Sequence, residues 1–385
     1  NDVHLWLGVG SALVLFLVCL SGTIYTFRTE IEHWMEPKKY HITEISNQKN
    51  SYQEIIQKTA LETQGKVTRL SFYDDQNKPY ELQVSKGKED KRGETFYVNP
   101  YNNTILGSGK GPATEFFMFF FKMHRWLLFD AEIGRPIVGT ATLIFVILTI
   151  TGLFLWFPKK VKNFKSLKPG LKIKFNANWK RINHDLHNTL GFYACLIILI
   201  MALTGLNWSF EWYKNGLSSV LGAEVFGGRN KKKLESIPDQ NLQPISIESI
   251  IEMGNKTFPY AGKTIITFAK GKEGAVEFRK QNSSNFNKDA SDRIILDQYS
   301  GVILKKEVFA EKTLGEKVAA QIKAIHLGEI YGTFSKIIYF ITCLIATSLP
   351  ITGIFIWINK MKKKSKNILI EEITINIQRE EKLKF

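Results

Sequence analysis

Ile150-Thr151-Gly152-Leu153-Phe154-Leu155-Trp156 and Ile351-Thr352-Gly353-Ile354-Phe355-Ile356-Trp357 are the two stretches on which the reading of this chain turns. They lie in the uncharged apolar runs 136–158 and 337–359, and two further runs occupy 5–27 and 188–210. Crossing a hydrocarbon core takes about 20 helical residues, so each run is long enough to span a membrane. The first is too long for a signal-peptide core and has no small-residue cleavage site behind it. The chain opens on Asn1 rather than methionine, so native residues ahead of it are expected.

The odd-numbered runs match as the even-numbered ones do. Placing Leu20-Ser21-Gly22 over Leu203-Thr204-Gly205 sets an offset of 183, at which His4 falls on His187, Gly8 on Gly191 and Phe27 on Phe210. Two matched helix types in the same order imply an internal duplication, and such repeats build membrane sites at their interface. The connecting segments repeat too. A helix at 51–62 precedes strand-like alternation at 67–73, 80–84 and 96–98, then a turn at Asn99-Pro100-Tyr101-Asn102-Asn103. The second copy places a helix at 246–258, strands at 264–269, 275–279 and 293–297, and a turn at Gln298-Tyr299-Ser300-Gly301. The fold class expected is a four-helix membrane bundle, internally duplicated, with two small α+β extramembrane domains.

The net charge of +16 does not point to nucleic acid, because of where it sits. Segment 159–181 holds nine Lys or Arg and no acidic residue, and a second basic cluster follows the fourth run at Lys360 to Lys366. Basic residues crowd the cytoplasmic ends of spans, which puts both termini inside and segments 28–135 and 211–336 outside. Cys19, Cys195 and Cys343 all fall within spans, so they form no disulfide framework outside, and no C-x-x-C-H is present for covalent haem.

Of the seven histidines, His33 and His41 lie in a polar stretch and read as solvated. The other five cluster at span ends, where an ionisable side chain is costly enough to suggest a function. His4 and His187 open the first and third runs at one depth, each in a His-x-x-Leu-Gly pattern. Gly8 and Gly191, four residues on, share the histidine's helix face and are expected to leave a notch beside each imidazole. Gly22 and Gly205 lie about five turns further along that face. His124 precedes Gly152 by 28 residues and His326 precedes Gly353 by 27, a second pair of matched depth at the other membrane face. A continuous helix of that length spans about 42 Å, which places His124 at the interface or on a helix broken near Gly134-Arg135-Pro136. Imidazole suits haem iron, zinc, copper and non-haem iron. With no carboxylate or cysteine completing a compact set at His4 or His187, bis-histidine ligation of noncovalent haem fits best, and two axial nitrogens favour electron transfer over oxygen binding. His184, three residues before His187, competes as a ligand or serves as a propionate partner. Arg125, Lys122, Lys180 and Arg181 are further propionate candidates, although anchoring at the interface is their default role.

The motifs His4-Leu5-Trp6-Leu7-Gly8, Met123-His124-Arg125-Trp126-Leu127-Leu128, His187-Asn188-Thr189-Leu190-Gly191 and Thr151-Gly152-Leu153-Phe154-Leu155-Trp156 together resemble the PepSY-associated transmembrane family, in its siderophore-iron reductase branch. The stretches around 99–107 and 297–303 look like PepSY modules. The fourth segment departs from the pattern, with His326-Leu327-Gly328 in place of His-Arg-Trp and with Pro350 inside the span. The resemblance implies a bacterial inner-membrane protein with two b-type haems, one on His4 and His187, the other on His124 and His326. It implies electron transfer to a periplasmic ferric siderophore, from a quinol or a soluble cytoplasmic reductase. No P-loop and no G-x-G-x-x-G after a strand is present, so the electrons come from another molecule. Two competing expectations are a membrane-anchored PepSY module that binds or regulates peptidases, and haem handling without reduction.

The expected organisation is span 1 at 1–36, PepSY-like domain 1 at 37–113, an interfacial helix and span 2 at 114–158, and a basic cytoplasmic loop at 159–181. Span 3 follows at 182–212, PepSY-like domain 2 at 213–312, span 4 at 313–360, and a cytoplasmic tail at 361–385.

Overall fold

The computed structural model describes residues 2–46, 48–87, 90, 93–158, 160, 163–226, 234–238 and 243–382, with backbone alone for 164 and 364–382. Lys159 and Lys162 of the basic loop lie outside the described residues. The chain forms two compact units. One contains Asn1–Thr26, Phe119–Lys214 and Ile337–Phe385, the other Phe27–Met118 and Asn215–Lys336.

The first unit is a membrane unit. Among the described residues four helices are long and apolar enough to span: Asp2–Tyr25, Ala131–Trp156, Trp179–Trp208 and Thr333–Lys363. Their large apolar side chains point outward, as with Leu13, Phe154 and Leu196. An outward-facing apolar surface of this extent suits hydrocarbon rather than water. Small residues fill the helix–helix seams instead. Ser11, Ala12, Ser21, Ala141, Ala194, Ala202 and Ala346 are all buried. Such residues let helices approach closely where no hydrophobic effect drives them together. Gly139 shows the tolerance: a Cβ there would stand 2.6 Å from the Phe210 ring.

Two breaks in helix geometry matter for function. The helix Thr114–Trp126 ends at Leu127 and Leu128, which have φ of 52° and 66°, and the second span starts afresh at Ala131. The break therefore precedes Gly134-Arg135-Pro136, and Pro136 is accommodated within the span. Proline has no N–H, so Pro136, the sixth residue of the helix, gives up the bond that its position would otherwise donate to the Glu132 carbonyl. Gly134 has its own reason, since a Cβ at that position would lie 2.1 Å from the Trp126 carbonyl oxygen. In the third span, a π-helical turn at Leu186–Leu190 joins Trp179–Asp185 to Gly191–Gly205.

The second unit corrects the expectation of two small domains. Strands β1 (Lys66–Phe72), β2 (Tyr80–Ser85), β3 (Glu94–Val98), β4 (Ile105–Ser108), β5 (Gly262–Thr267), β6 (Val276–Asn282), β7 (Ser291–Leu296) and β8 (Ile303–Glu307) make one antiparallel sheet. Its order is β4-β3-β2-β1-β5-β6-β7-β8, with β1 and β5 paired at the centre and Leu70 opposite Ile266. Alternate residues are buried along β2 and β5, as expected for a sheet with one covered face. One core runs through both halves, including Ile55, Leu70 and Leu82 from the first and Ile250, Ile266 and Phe278 from the second. Unpaired sheet edges invite association, and joining β1 to β5 removes two of them.

Both halves use the same turn. Asn99 Oδ1 accepts from Tyr101 N–H and Asp297 Oδ1 from Tyr299 N–H, each at 2.9 Å. Asn103 and Gly301 then adopt φ of 58° and 72°. Such side-chain-to-backbone bonds and left-handed residues are what Asn, Asp and Gly supply to tight turns.

Candidate functional site

His4 sits in the first turns of span 1 and His187 in the π-helical turn of span 3. Their imidazole centroids lie 6.4 Å apart, with ring planes at 90°. A π turn adds a residue to the helical repeat and occurs often at functional sites. His4 Nδ1 is 2.9 Å from Thr151 Oγ1, and His187 Nδ1 is 2.9 Å from Thr352 Oγ1. The two threonines come from spans 2 and 4, so all four spans contribute to one site. With Nδ1 committed on each ring, Nε2 is the nitrogen left to face a ligand.

Residues that the sequence reading used only to mark the repeat complete this geometry. Gly152 and Gly353 follow the two threonines, and a Cβ on them would meet His4 Cε1 at 3.3 Å and His187 Cε1 at 3.4 Å. Each Thr-Gly pair thus offers an oxygen to Nδ1 and room to the ring edge. Asn183, buried one turn before His187, donates from Nδ2 to the Thr352 carbonyl at 3.0 Å and ties span 3 to span 4. The only sequence trace of this arrangement was that Thr-Gly occurs twice at equivalent places.

The glycines expected to form the notch lie elsewhere. A Cβ on Gly8 would meet Leu148 Cδ2 at 3.8 Å and one on Gly191 would meet Leu349 Cδ2 at 3.6 Å, both ordinary apolar contacts. Gly22 receives His124, not His4: a Cβ on it would come within 3.1 Å of His124 Cε1. For Gly22 the reason is depth, since eighteen helical residues place it about 27 Å from His4, where only another segment can bring a ring.

His124, near the end of helix Thr114–Trp126, places Nδ1 2.8 Å from the Val18 carbonyl oxygen of span 1. A carbonyl only accepts, so Nδ1 carries the proton in this bond. Burial holds this imidazole below its ordinary pKa; the Val18 hydrogen bond opposes that shift and the neighbouring Arg125 charge adds to it. His326 belongs to the sheet unit, half-buried on helix Leu314–Leu327, which Gly328 closes with φ of 70°.

The remaining candidates are tied up or exposed. His184 is largely exposed and lies 3.7 Å from the buried Asp185 carboxylate, which Arg181 also engages at 2.8 Å. The Arg125 guanidinium packs over the Phe121 and Trp126 rings. Lys122 and Lys180 are exposed. The three cysteines are free thiols, with Cys343 Sγ 3.7 Å from Met201 Sδ. Among the described residues no three His, Cys, Asp or Glu side chains gather as metal ligands. The candidate donors at His4 and His187 are therefore the two imidazoles.

Comparison with known families matches residues 2–360 to a family model described as PepSY-associated TM region. No curated protein matches the chain.

Proposed function

The chain belongs to this PepSY-associated transmembrane family, and from that premise we propose that it passes electrons through b-type haem across a bacterial inner membrane to a ferric chelate. One observation carries the reading: two imidazoles on different spans, 6.4 Å apart between centroids, each with Nδ1 already engaged. A site with two imidazoles and, among the described residues, no group of three metal-ligating side chains would suit an ion whose other positions come from a macrocycle. A haem iron held by two histidines supplies one-electron exchange without an open position for oxygen. His4 and His187 would hold it, and the absence of a Cβ at Gly152 and Gly353 makes room for the ring edges. A second haem on His124 and His326 belongs to the same proposal; Nδ1 of His124 is engaged by the Val18 carbonyl, as Nδ1 of His4 and of His187 is by a threonine.

The orientation proposed follows from the basic residues. Segment 159–181 and the cluster from Lys360 face the cytoplasm, as do both termini, and the eight-stranded sheet lies in the periplasm. The two matched halves arose by internal duplication. Electrons enter from a quinol or a cytoplasmic reductase near His4 and His187. Their outward movement runs with an inside-negative potential worth about 2.3 kcal/mol per 100 mV. Siderophore oxygens are hard donors that hold Fe(III) far more strongly than Fe(II), so reduction releases the metal for uptake.

The test is the reduced-minus-oxidised visible spectrum of the purified full chain, with haem counted by pyridine haemochrome. Low-spin b-type bands are expected, and His187→Ala or His4→Ala should each remove one haem. A colourless protein refutes the reading and leaves an anchored PepSY module that binds peptides or peptidases.

A further inference from the structure

The hydrogen bonds around Thr151 and Thr352 contain more information than their lengths. Each hydroxyl has one proton to give. Thr151 Oγ1 lies 2.7 Å from the Ile147 carbonyl and 3.2 Å from that of Leu148. Thr352 Oγ1 lies 3.0 Å from the Ser348 carbonyl and 3.1 Å from that of Leu349. Carbonyl oxygens cannot donate, so keeping these contacts as hydrogen bonds sends the hydroxyl proton back along its own helix, as threonines in membrane helices commonly do. Turning it toward the histidine would leave two oxygens facing each other with no proton between them, at 2.7 Å for Thr151 and 3.0 Å for Thr352. Each hydroxyl therefore presents a lone pair to the imidazole, and each Nδ1 must carry the proton. Nε2 is then deprotonated on both rings, the form in which imidazole binds a metal.

We infer that Thr151 and Thr352 are positioning residues: they set the Nδ1–H tautomer of His4 and His187 and fix the two ring planes at right angles. A hydrogen bond to a hydroxyl on a neighbouring span removes the ring's freedom to spin about Cβ–Cγ. The adjacent Gly152 or Gly353 leaves each ring edge its place, since a Cβ there would stand 3.3 or 3.4 Å from Cε1. Because the two threonines stand on different spans, each ring takes its azimuth from its own partner, and the 90° crossing results. For the haem role this inference rests on the electron-transfer reading. Crossed axial imidazoles produce a highly anisotropic low-spin ferric signal with one dominant large g value, whereas parallel ones produce a rhombic signal. An Nδ1–H···O bond also makes the imidazole a stronger donor, which favours the ferric state.

The experiment compares the full-length wild type with Thr151→Val, Thr352→Val and the matching Thr→Ser variants. Valine keeps the shape and removes the acceptor, and serine restores it. In haem-free protein, 15N-histidine spectra should show His4 and His187 as Nδ1–H tautomers in wild type and in the serine variants. In the valine variants that preference should be lost at the corresponding histidine. In haem-loaded protein each valine change should weaken haem binding by about 10–100-fold, the usual effect of losing a partner behind a metal ligand. It should also raise the midpoint potential and shift the electron paramagnetic resonance signal away from the large-g form, with serine restoring both. If wild type takes up no haem, the electron-transfer reading falls, and the tautomer measurement still decides the role of the threonines. If wild type binds haem but the valine variants keep tautomer, potential and signal unchanged, the positioning role is wrong.

Discussion

Replacing Gly22 by alanine should destabilise the protein relative to the same change at Gly10, although both glycines lie in one helix. Inside a helix, glycine to alanine is worth about 0.8–1.0 kcal/mol of added stability from backbone entropy. At Gly10 nothing lies within 4 Å of the new Cβ, so that gain should appear undiminished. At Gly22 the methyl would meet His124 Cε1 at 3.1 Å and Nδ1 at 3.2 Å. Comfortable carbon contacts begin at about 3.5 Å, so the ring must retreat by about 0.4 Å. That retreat stretches the 2.8 Å bond to the Val18 carbonyl toward the end of the useful range near 3.2 Å. Overpacking of this kind costs about 1–3 kcal/mol, which cancels or reverses the helix gain. Gly152 and Gly353, with contacts of 3.3 and 3.4 Å to His4 and His187, should fall between and come out near neutral. Thermal unfolding of the four variants in one detergent gives the ranking, with Gly10→Ala the most stable and Gly22→Ala the least. Should Gly22→Ala stabilise as much as Gly10→Ala, His124 does not occupy that notch.

Ile266→Ala, at the centre of the sheet, should cost about 2–5 kcal/mol because the side chain is fully buried opposite Leu70. Hydrogen exchange should then accelerate in both halves of the sheet together, and acceleration confined to β5–β8 would mean that the halves do not share a core. At Glu307 burial alone would raise the pKa, but hydrogen bonds from Arg293 and Lys305 and the charge of Lys312 hold the carboxyl well below the usual range. A depressed folded-state pKa gives stability that is complete above the unfolded value of about 4.3 and is lost as pH falls below it. Glu307→Gln should therefore lower stability by about 1–3 kcal/mol at pH 7, and the gap to wild type should shrink toward pH 3. A gap of constant size across that range would contradict the charge network. Asn183→Ala removes the Nδ2 donor to the Thr352 carbonyl and should cost about 1 kcal/mol, read as a lower unfolding temperature.

The amino-acid pattern was enough to find the membrane spans, the repeated order of helices and strands, and the equal depth of His4 and His187. These follow from local free energies. An uncharged helical run of sufficient length pairs its own backbone groups, and a side chain's depth follows from its place along the helix. The sequence also supplied the turns at Asn99 and Asp297, because Asx chemistry acts within a few residues.

Tertiary structure alone decided which groups meet. Both Thr-Gly pairs were visible as letters, but only the packing of span 1 on span 2 and of span 3 on span 4 makes them the seats of two imidazoles. The same holds for Gly22, which shares a helix face with His4 yet receives His124 from another segment. It holds for β1 and β5, whose alternation suits an edge as well as a centre until each becomes the other's partner. Helix periodicity and strand alternation are set by neighbours along the chain. Which azimuth of a helix or which edge of a sheet is covered depends on long-range contacts whose energies no single segment contains.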